Sequence, residues 1–296
     1  MKGVDQSAIA FNPNGPEQQR SRCPHCSKRT RDDSLSINIA MGVFLCHRCG
    51  LRGKLDGLHS APASREFTPQ RLSEIAGFKR SRLTRVWTEA SAVGTSSPRA
   101  FHAYLKGRGL LAVLRSRVTD FRTHPSLEYF DHGRLIGRFP ALLSLYRDAS
   151  GRPLTIHVTY LKNEGSGKAD VANPKKMLPA SRSGATKGGA IRLFDLKGHV
   201  LGLAEGIENA LSLHLLKGIP VWAAYCAGNL ESVVVPNTIR EIQIAVDVDA
   251  SARGQRASWA LADRMRTTNP NVRVHYVLPD LDGPGDLNDE LRRSAE

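Results

Sequence analysis

Four of the five cysteines in this chain of 296 residues fall in one short stretch, as Cys23-Pro-His-Cys26 and Cys46-His-Arg-Cys49, with 19 residues between the pairs. Each C-x2-C knuckle aims two thiolates at one point. Two knuckles complete a tetrahedral all-sulfur site, the pattern of a structural zinc ribbon. The interval also supplies the hairpin a ribbon needs. Residues 34–39 alternate apolar and polar, Ala40-Met41-Gly42 can turn, and residues 43–45 return to the second knuckle. Disulfides belong to secreted chains, and the N-terminus carries no signal peptide. Redox C-x-x-C motifs do not come as paired knuckles at this spacing. The expected zinc ligands are therefore Cys23, Cys26, Cys46 and Cys49, with His25 and His47 as surface groups. Cys226 stands in the apolar run 221–226 and reads as a buried thiol in a strand.

A closed sulfur site holds a fold and performs no chemistry. Here it carries many cations, Arg48 among them, and Phe44 is available for stacking, so single-stranded nucleic acid is a reasonable ligand. A ribbon serving only to dock another domain is the alternative. The charge of the whole chain agrees with a polyanionic partner: the formal net charge is +14. It is unevenly placed. Residues 1–195 hold 32 Lys+Arg against 15 Asp+Glu, and residues 196–296 hold 10 against 13. No apolar run approaches the ~20 residues of a membrane span, so a cytoplasmic protein with no membrane partner is expected.

Breakers at Ala61-Pro62-Ala63-Ser64 and in residues 94–98 mark residues 59–99 as a partly helical linker, with helical periodicity over 68–87. Residues 100–195 read as a basic α+β subdomain. A helix covers 100–106 and stops at Gly107-Arg108-Gly109, and strands 142–147 and 153–160 flank the turn Asp148-Ala-Ser-Gly151. Lys162, Lys168, Lys175, Lys176, Arg182 and Lys187 follow, interleaved with Gly and Ser. Such a stretch can cradle phosphates, and a solvated loop would look similar. Gly165-Ser-Gly-Lys168 mimics the end of a Walker A loop, but Ala169 replaces the required Ser/Thr and Lys162 stands where its first Gly belongs.

The last hundred residues alternate strand and helix: strands at 200–204, 221–226, 241–246 and 272–277, helices at 207–217 and 251–266. That alternation predicts a mostly parallel sheet, with ligands at the carboxyl ends of its strands. Glu205 and the pair Asp247/Asp249 stand at such ends, and Asp286 and Asp289 arrive from the loop after the fourth strand. Several carboxylates sharing a site need a cation, and all-oxygen ligation favours Mg²⁺ or Mn²⁺ over zinc. Acidic loops without metal would explain any one segment, not three together.

Glu205-Gly-Ile-Glu-Asn209, Asp247-Val-Asp249 and Gly285-Asp286-Leu-Asn-Asp289 resemble the three acidic motifs of the Toprim fold. Joined to a four-cysteine ribbon, they resemble DnaG-type primases, particularly the compact forms of phages and plasmids. Tyr104-Leu-Lys-Gly-Arg-Gly109, Pro140-Ala-Leu-Leu, Thr159-Tyr-Leu161 and Gly188-Gly-Ala-Ile-Arg192 are similar to the N-terminal part of the primase core. The resemblance implies an α/β chain in four parts: ribbon 1–58, linker 59–99, basic subdomain 100–195 and Toprim domain 196–296. It implies a DNA-dependent RNA primase with Glu205, Asp247 and Asp249 catalytic. Mg²⁺ or Mn²⁺ would sit on Asp247, Asp249, Asp286 and Asp289. Lys162, Lys168, Lys175, Lys176 and Arg182, with Arg48 and Phe44, would bind nucleotide or DNA. Two departures stand out: Asn209 where cellular enzymes have Asp, and Asp286-Leu-Asn-Asp289 where they read Asp-x-Asp. The chain ends seven residues after Asp289, and the resemblance then implies either a stand-alone primase or one recruited by a separate replicative helicase. A non-catalytic recombination mediator with a zinc site and Toprim fold, and a Toprim nuclease, are the other readings.

Overall fold

The computed structural model describes residues 8–26, 33–46, 51–55, 69–94, 97–182 and 185–294. The chain divides into two compact units, residues 1–72 and 73–296.

The first unit is an antiparallel sheet of β1 (Gln18–Ser21), β2 (Leu35–Asn38), β3 (Val43–Cys46) and β4 (Arg52–Lys54) in that order. The expected hairpin is β2–β3: Asn38 Oδ1 accepts from Met41 N at 2.7 Å, and Gly42 takes a φ of 59° to close the turn. Alternation buries Leu35 and Ile37 with Ile9, Phe44, Leu55, Cys23 and Cys46. Phe44 is therefore no stacking platform: it is 4% exposed. A Cβ on Gly53 would stand 2.7 Å from its ring, so the partner strand leaves room for the phenyl and for nothing more. Burying that ring contributes roughly 2–3 kcal/mol to a small core, which outweighs exposing it for a ligand.

The second unit begins with α1 (Pro69–Glu89), β5 (Ser91–Ala92) and α2 (Arg99–Gly107). Three long strands follow, β6 (Phe121–Asp131), β7 (Arg134–Arg147) and β8 (Pro153–Tyr160), then short β9 (Lys175–Met177) and β10 (Ala190–Arg192). The expected β7–β8 hairpin is present, with Gly151 at φ 84° in its turn. The C-terminal part adds β11 (Val200–Ala204), α3 (Ile207–Lys217), β12 (Val221–Ala223), α4 (Ala227–Leu230), β13 (Glu241–Ala245), α5 (Arg253–Thr268), β14 (Arg273–Val277) and α6 (Leu287–Ser294). Strands β14, β13, β11 and β12 are parallel, as the βα alternation requires.

The sheet does not stop at residue 195. β10 pairs antiparallel with both β12 and β7, so ten strands run in order β14-β13-β11-β12-β10-β7-β6-β5, with β8 and β9 branching from β7. One apolar cluster joins Phe101, Tyr104 and Leu105 of α2 to Leu211 and Leu213 of α3 across that continuous sheet. The buried amide of Asn229 ties the two parts together. Its Nδ2 donates to Tyr146 Oη, Gly189 O and Ala224 O, while its Oδ1 accepts from Gly188 N.

Strand β12 ends earlier than expected. Ala224 N and Tyr225 N still donate to Ala204 O and Glu205 O, but Tyr225 then adopts a left-handed φ of 77° and the chain turns into α4. Cys226 thus precedes a helix and is exposed, not buried in a strand. Among the described residues no helix is long and apolar enough to cross a membrane.

Candidate metal and nucleotide site

Parallel strands β11 and β13 deliver their carboxyl ends side by side. Glu205 follows β11 directly, and Asp247 lies two residues beyond β13. Gly254, at the start of α5, allows the close packing there: a Cβ would stand 2.6 Å from Asp247 O. Burial raises the Asp247 carboxyl first, Glu205 and Asp286 raise it further, and it reaches about 7. Burial likewise pushes Glu205 up against the opposing pull of Arg253. It also pushes Asp286 up, against the hydrogen bonds it accepts from the backbone N–H groups of Asp289 and Asn288. Burial opposes ionisation of all three carboxyls, a setting in which a bound cation would favour the charged forms. Their all-oxygen donor set fits Mg²⁺ or Mn²⁺. Asn209, where the resemblance predicts Asp, keeps contact without adding charge. Its Nδ2 donates to Asp247 Oδ1 and its Oδ1 accepts from Leu287 N at 3.2 Å.

Asp249 and Asp289 differ from that group. Asp249 Oδ1 accepts from Ser251 N at 2.7 Å and its Oδ2 from Gly254 N at 3.3 Å, capping the approach to α5. Burial would raise its carboxyl, but these hydrogen bonds hold it below the usual range, so it stays ionised. Its charge still acts on Glu205. Asp289 forms a reciprocal cap with Asp286 at the start of α6: each accepts from the other's backbone N–H, at 3.0 and 3.3 Å. Its other oxygen faces Arg292 at 3.7 Å. Asp289 thus caps the first turn of α6.

The expected basic stretch is not one patch. Lys168 Nζ and Lys175 Nζ converge on Glu208, 3.4 Å from Oε1 and 4.0 Å from Oε2, and the Lys175 charge reaches Glu205 and Asp247. Lys176, adjacent on β9, points the other way, as strand alternation dictates. It lies 3.8 Å from the Tyr129 ring centroid and donates to Phe130 O. Arg182 pairs with Asp148, which Arg152 also contacts at 3.2 Å. Lys162 pairs with Asp170 at 2.9 Å. Only Lys168 and Lys175 of the five therefore join the carboxylates.

Sequence reasoning missed Glu208, Tyr104, His157 and Tyr225. Tyr104 Oη donates to Glu208 Oε1 at 2.7 Å. The Tyr225 ring meets the His157 ring edge-on, with centroids 5.3 Å apart. Burial first, then Lys175, hold the His157 imidazole neutral, down to about 4. The left-handed backbone of Tyr225, a bulky residue, is strain at the rim of the site. Glu208 left a trace in the sequence as a second acid in the segment 205–209, and Tyr104 as the first residue of the segment 104–109.

In the first unit the thiol sulfurs of Cys23, Cys26 and Cys46 lie within 4.8 Å of one another. Cys26 Sγ and Cys46 Sγ are 3.6 Å apart. That is near the ~3.8 Å edge of a tetrahedron with Zn–S bonds of ~2.3 Å, and far beyond a disulfide bond of ~2.05 Å. The donor set fits zinc. Cys49 and Arg48 lie outside the described residues.

A domain family of unknown function, DUF7146, matches residues 78–192, and the Toprim domain family matches residues 200–296. No curated protein matches the chain. Similar solved structures include a DNA primase domain from Pseudomonas aeruginosa, at 17% identity and TM-score 0.44, covering 76% of this chain and 74% of that one. The primase fragment of the bacteriophage T7 primase-helicase protein is similar at 12% identity and TM-score 0.40, covering 92% and 94%. The zinc-binding and RNA polymerase domains of the Aquifex aeolicus primase are similar at 16% identity and TM-score 0.38, covering 97% and 77%. With the parallel strands, the strand-end carboxylates and the family match all falling on the same segment, residues 200–296 are a Toprim domain.

Proposed function

We propose that this chain is a DNA-dependent RNA primase that joins ribonucleotides on a single-stranded DNA template. The observation that carries the reading is the approach of Lys175 to the half-buried carboxyls Glu205, Asp247 and Asp286 of the Toprim segment, with Lys168 beside it on Glu208. Glu205, Asp247 and Asp286 would hold Mg²⁺ or Mn²⁺, with Asp249 alongside. Bound there, the metal supplies Lewis-acid stabilisation of the charge that develops in phosphoryl transfer. Lys168 and Lys175 bind the polyphosphate of the incoming nucleotide and orient its α-phosphate. Asn209 fixes the Asp247 carboxylate in place. The cysteine ribbon, holding zinc, and the basic N-terminal half engage the template, and a separate helicase delivers it. A cytoplasmic place at the replication fork follows from that role.

One incubation tests this against the two other readings: the protein with single-stranded DNA, labelled NTPs and Mg²⁺. Labelled oligoribonucleotides are expected. Shortened DNA would make the site a nuclease, and a mobility shift without chemistry would make the chain a binding mediator.

A further inference from the structure

Glu208 faces two ammonium groups, Lys168 and Lys175, at the edge of the carboxylate site. It stands in the first turn of α3, three residues after Glu205, with its side chain 13% exposed. Three other segments converge on it: Tyr104 from α2, Lys168 beside the Leu161–Lys168 bridge, and Lys175 from β9. Burial would raise its carboxyl, but Lys175, Lys168 and the Tyr104 hydroxyl together hold it well below the usual carboxylate range.

The contacts are unequal. Tyr104 makes a full hydrogen bond at 2.7 Å, which fixes the carboxylate. The ammonium groups stand at 3.4 and 4.0 Å, beyond the 2.7–3.2 Å range of strong N–H···O bonds, so each lysine keeps donors to spend. The lysines are also the outer members, 25% and 43% exposed above a carboxylate that is 13% exposed. A buried charge cluster repays its desolvation poorly and is weak evidence of a purely stabilising role. This one leaves two ammonium groups against a single carboxylate, an excess of positive charge aimed outward. Two unneutralised lysines so close would repel each other and shed a proton or splay apart.

We propose that Glu208 is a positioning residue that keeps Lys168 and Lys175 paired beside the carboxylate site and yields them to the polyphosphate of the incoming nucleotide. The inference rests on the nucleotide-binding reading above and adds a resting counter-ion to it. A triphosphate, with several charges, outcompetes a single carboxylate held at long range, and Tyr104 keeps Glu208 from following the lysines.

The test combines binding with kinetics in the full chain. Glu208→Gln keeps side-chain size and the Tyr104 contact while removing the competing charge. It should bind inorganic tripolyphosphate with Mg²⁺ tighter by about five- to tenfold, in the range of ordinary site-to-site coupling. Its kcat for oligoribonucleotide synthesis should fall by a similar factor, so KM and kcat drop together. Glu208→Asp, which retains the charge, should restore kcat toward wild type. Tyr104→Phe frees the carboxylate to follow the lysines and should weaken tripolyphosphate binding, by less than Glu208→Gln tightens it. Glu208→Ala, which also removes the charge, carries the test if Glu208→Gln does not fold. Tripolyphosphate binding unchanged or weakened in Glu208→Gln and Glu208→Ala overturns the proposal, since a merely structural Glu208 would loosen the site. A wild-type protein that binds tripolyphosphate as described but makes no oligoribonucleotides overturns the primase reading and leaves this inference standing.

Discussion

The thiol cluster of the N-terminal sheet and the carboxylate cluster of the C-terminal sheet both crowd acidic groups together, but only the first belongs to an apolar core. Cys23 and Cys46 are 0% and 1% exposed and belong to the same apolar core as Leu35 and Ile37. Cys26 beside them is half-buried, and a unit of this size gains much from a structural ion. Glu205, Asp247 and Asp286 instead stand beyond strand ends, half-buried, and burial raises the Asp247 carboxyl most, with Glu205 and Asp286 adding to the rise. On the proposed reading, an ion in the first cluster serves folding and an ion in the second serves the reaction.

Cys46→Ser should have the largest effect. Loss of one thiolate from a closed site forfeits most of a structural zinc contribution of roughly 10 kcal/mol. Metal analysis should find the zinc gone, and proteolysis should cut residues 1–72 while the second unit stays intact. Protection of the first unit in the zinc-free variant would show that its apolar core suffices.

Asp247→Asn should do the opposite. Removing a charged ligand should lower synthesis about 10²–10³-fold, while relief of the repulsion with Glu205 and Asp286 should raise the Tm of the metal-free protein by about 2–4 °C. A lowered Tm would mean that the site is not electrostatically strained.

His157 gives a pH dependence. The folded protein holds it neutral down to about 4, whereas the unfolded chain binds that proton near 6.5. The unfolded state therefore binds more protons between pH 6.5 and 4, and this group's contribution is lost as pH falls through that window. Asp247, raised to about 7, works in the other direction, because its folded form gains a proton first. Urea midpoints of His157→Gln should consequently fall less than wild type between pH 6.5 and 4. Parallel curves would remove His157 from the account.

The smallest effect separates two neighbours. Lys175→Ala should weaken tripolyphosphate binding about tenfold, the 1.4 kcal/mol of one good phosphate contact. Lys176→Ala should leave binding alone and cost about 1 kcal/mol of stability, through its contact with the Tyr129 ring. Equal binding losses would mean that the β9 alternation does not sort them.

That pair also marks what a sequence can show. The ribbon hairpin, the β7–β8 hairpin, the span of α3 and the parallel strands were legible because hydrophobic period and turn residues encode them locally. Glu205, Asp247 and Asp286 were legible because strand ends in a βα pattern predict where ligands gather. The sorting of the lysines was not, since it depends on which face of a three-residue strand, Lys175–Met177, meets α3. Glu208 was hidden for a similar reason. An acid in the first turn of a helix is ordinary, and only the tertiary approach of Tyr104, Lys168 and Lys175 gives it partners. Phe44 misled because a lone aromatic beside a basic knuckle looks the same whether it faces a base or a glycine.

The division between a metal that folds and a metal that reacts is tested most directly by template-directed incorporation of labelled NTPs by Asp247→Asn, with zinc content measured on the same sample. The account predicts zinc retained at the wild-type level and incorporation lost. Incorporation at the wild-type rate with zinc retained would contradict it.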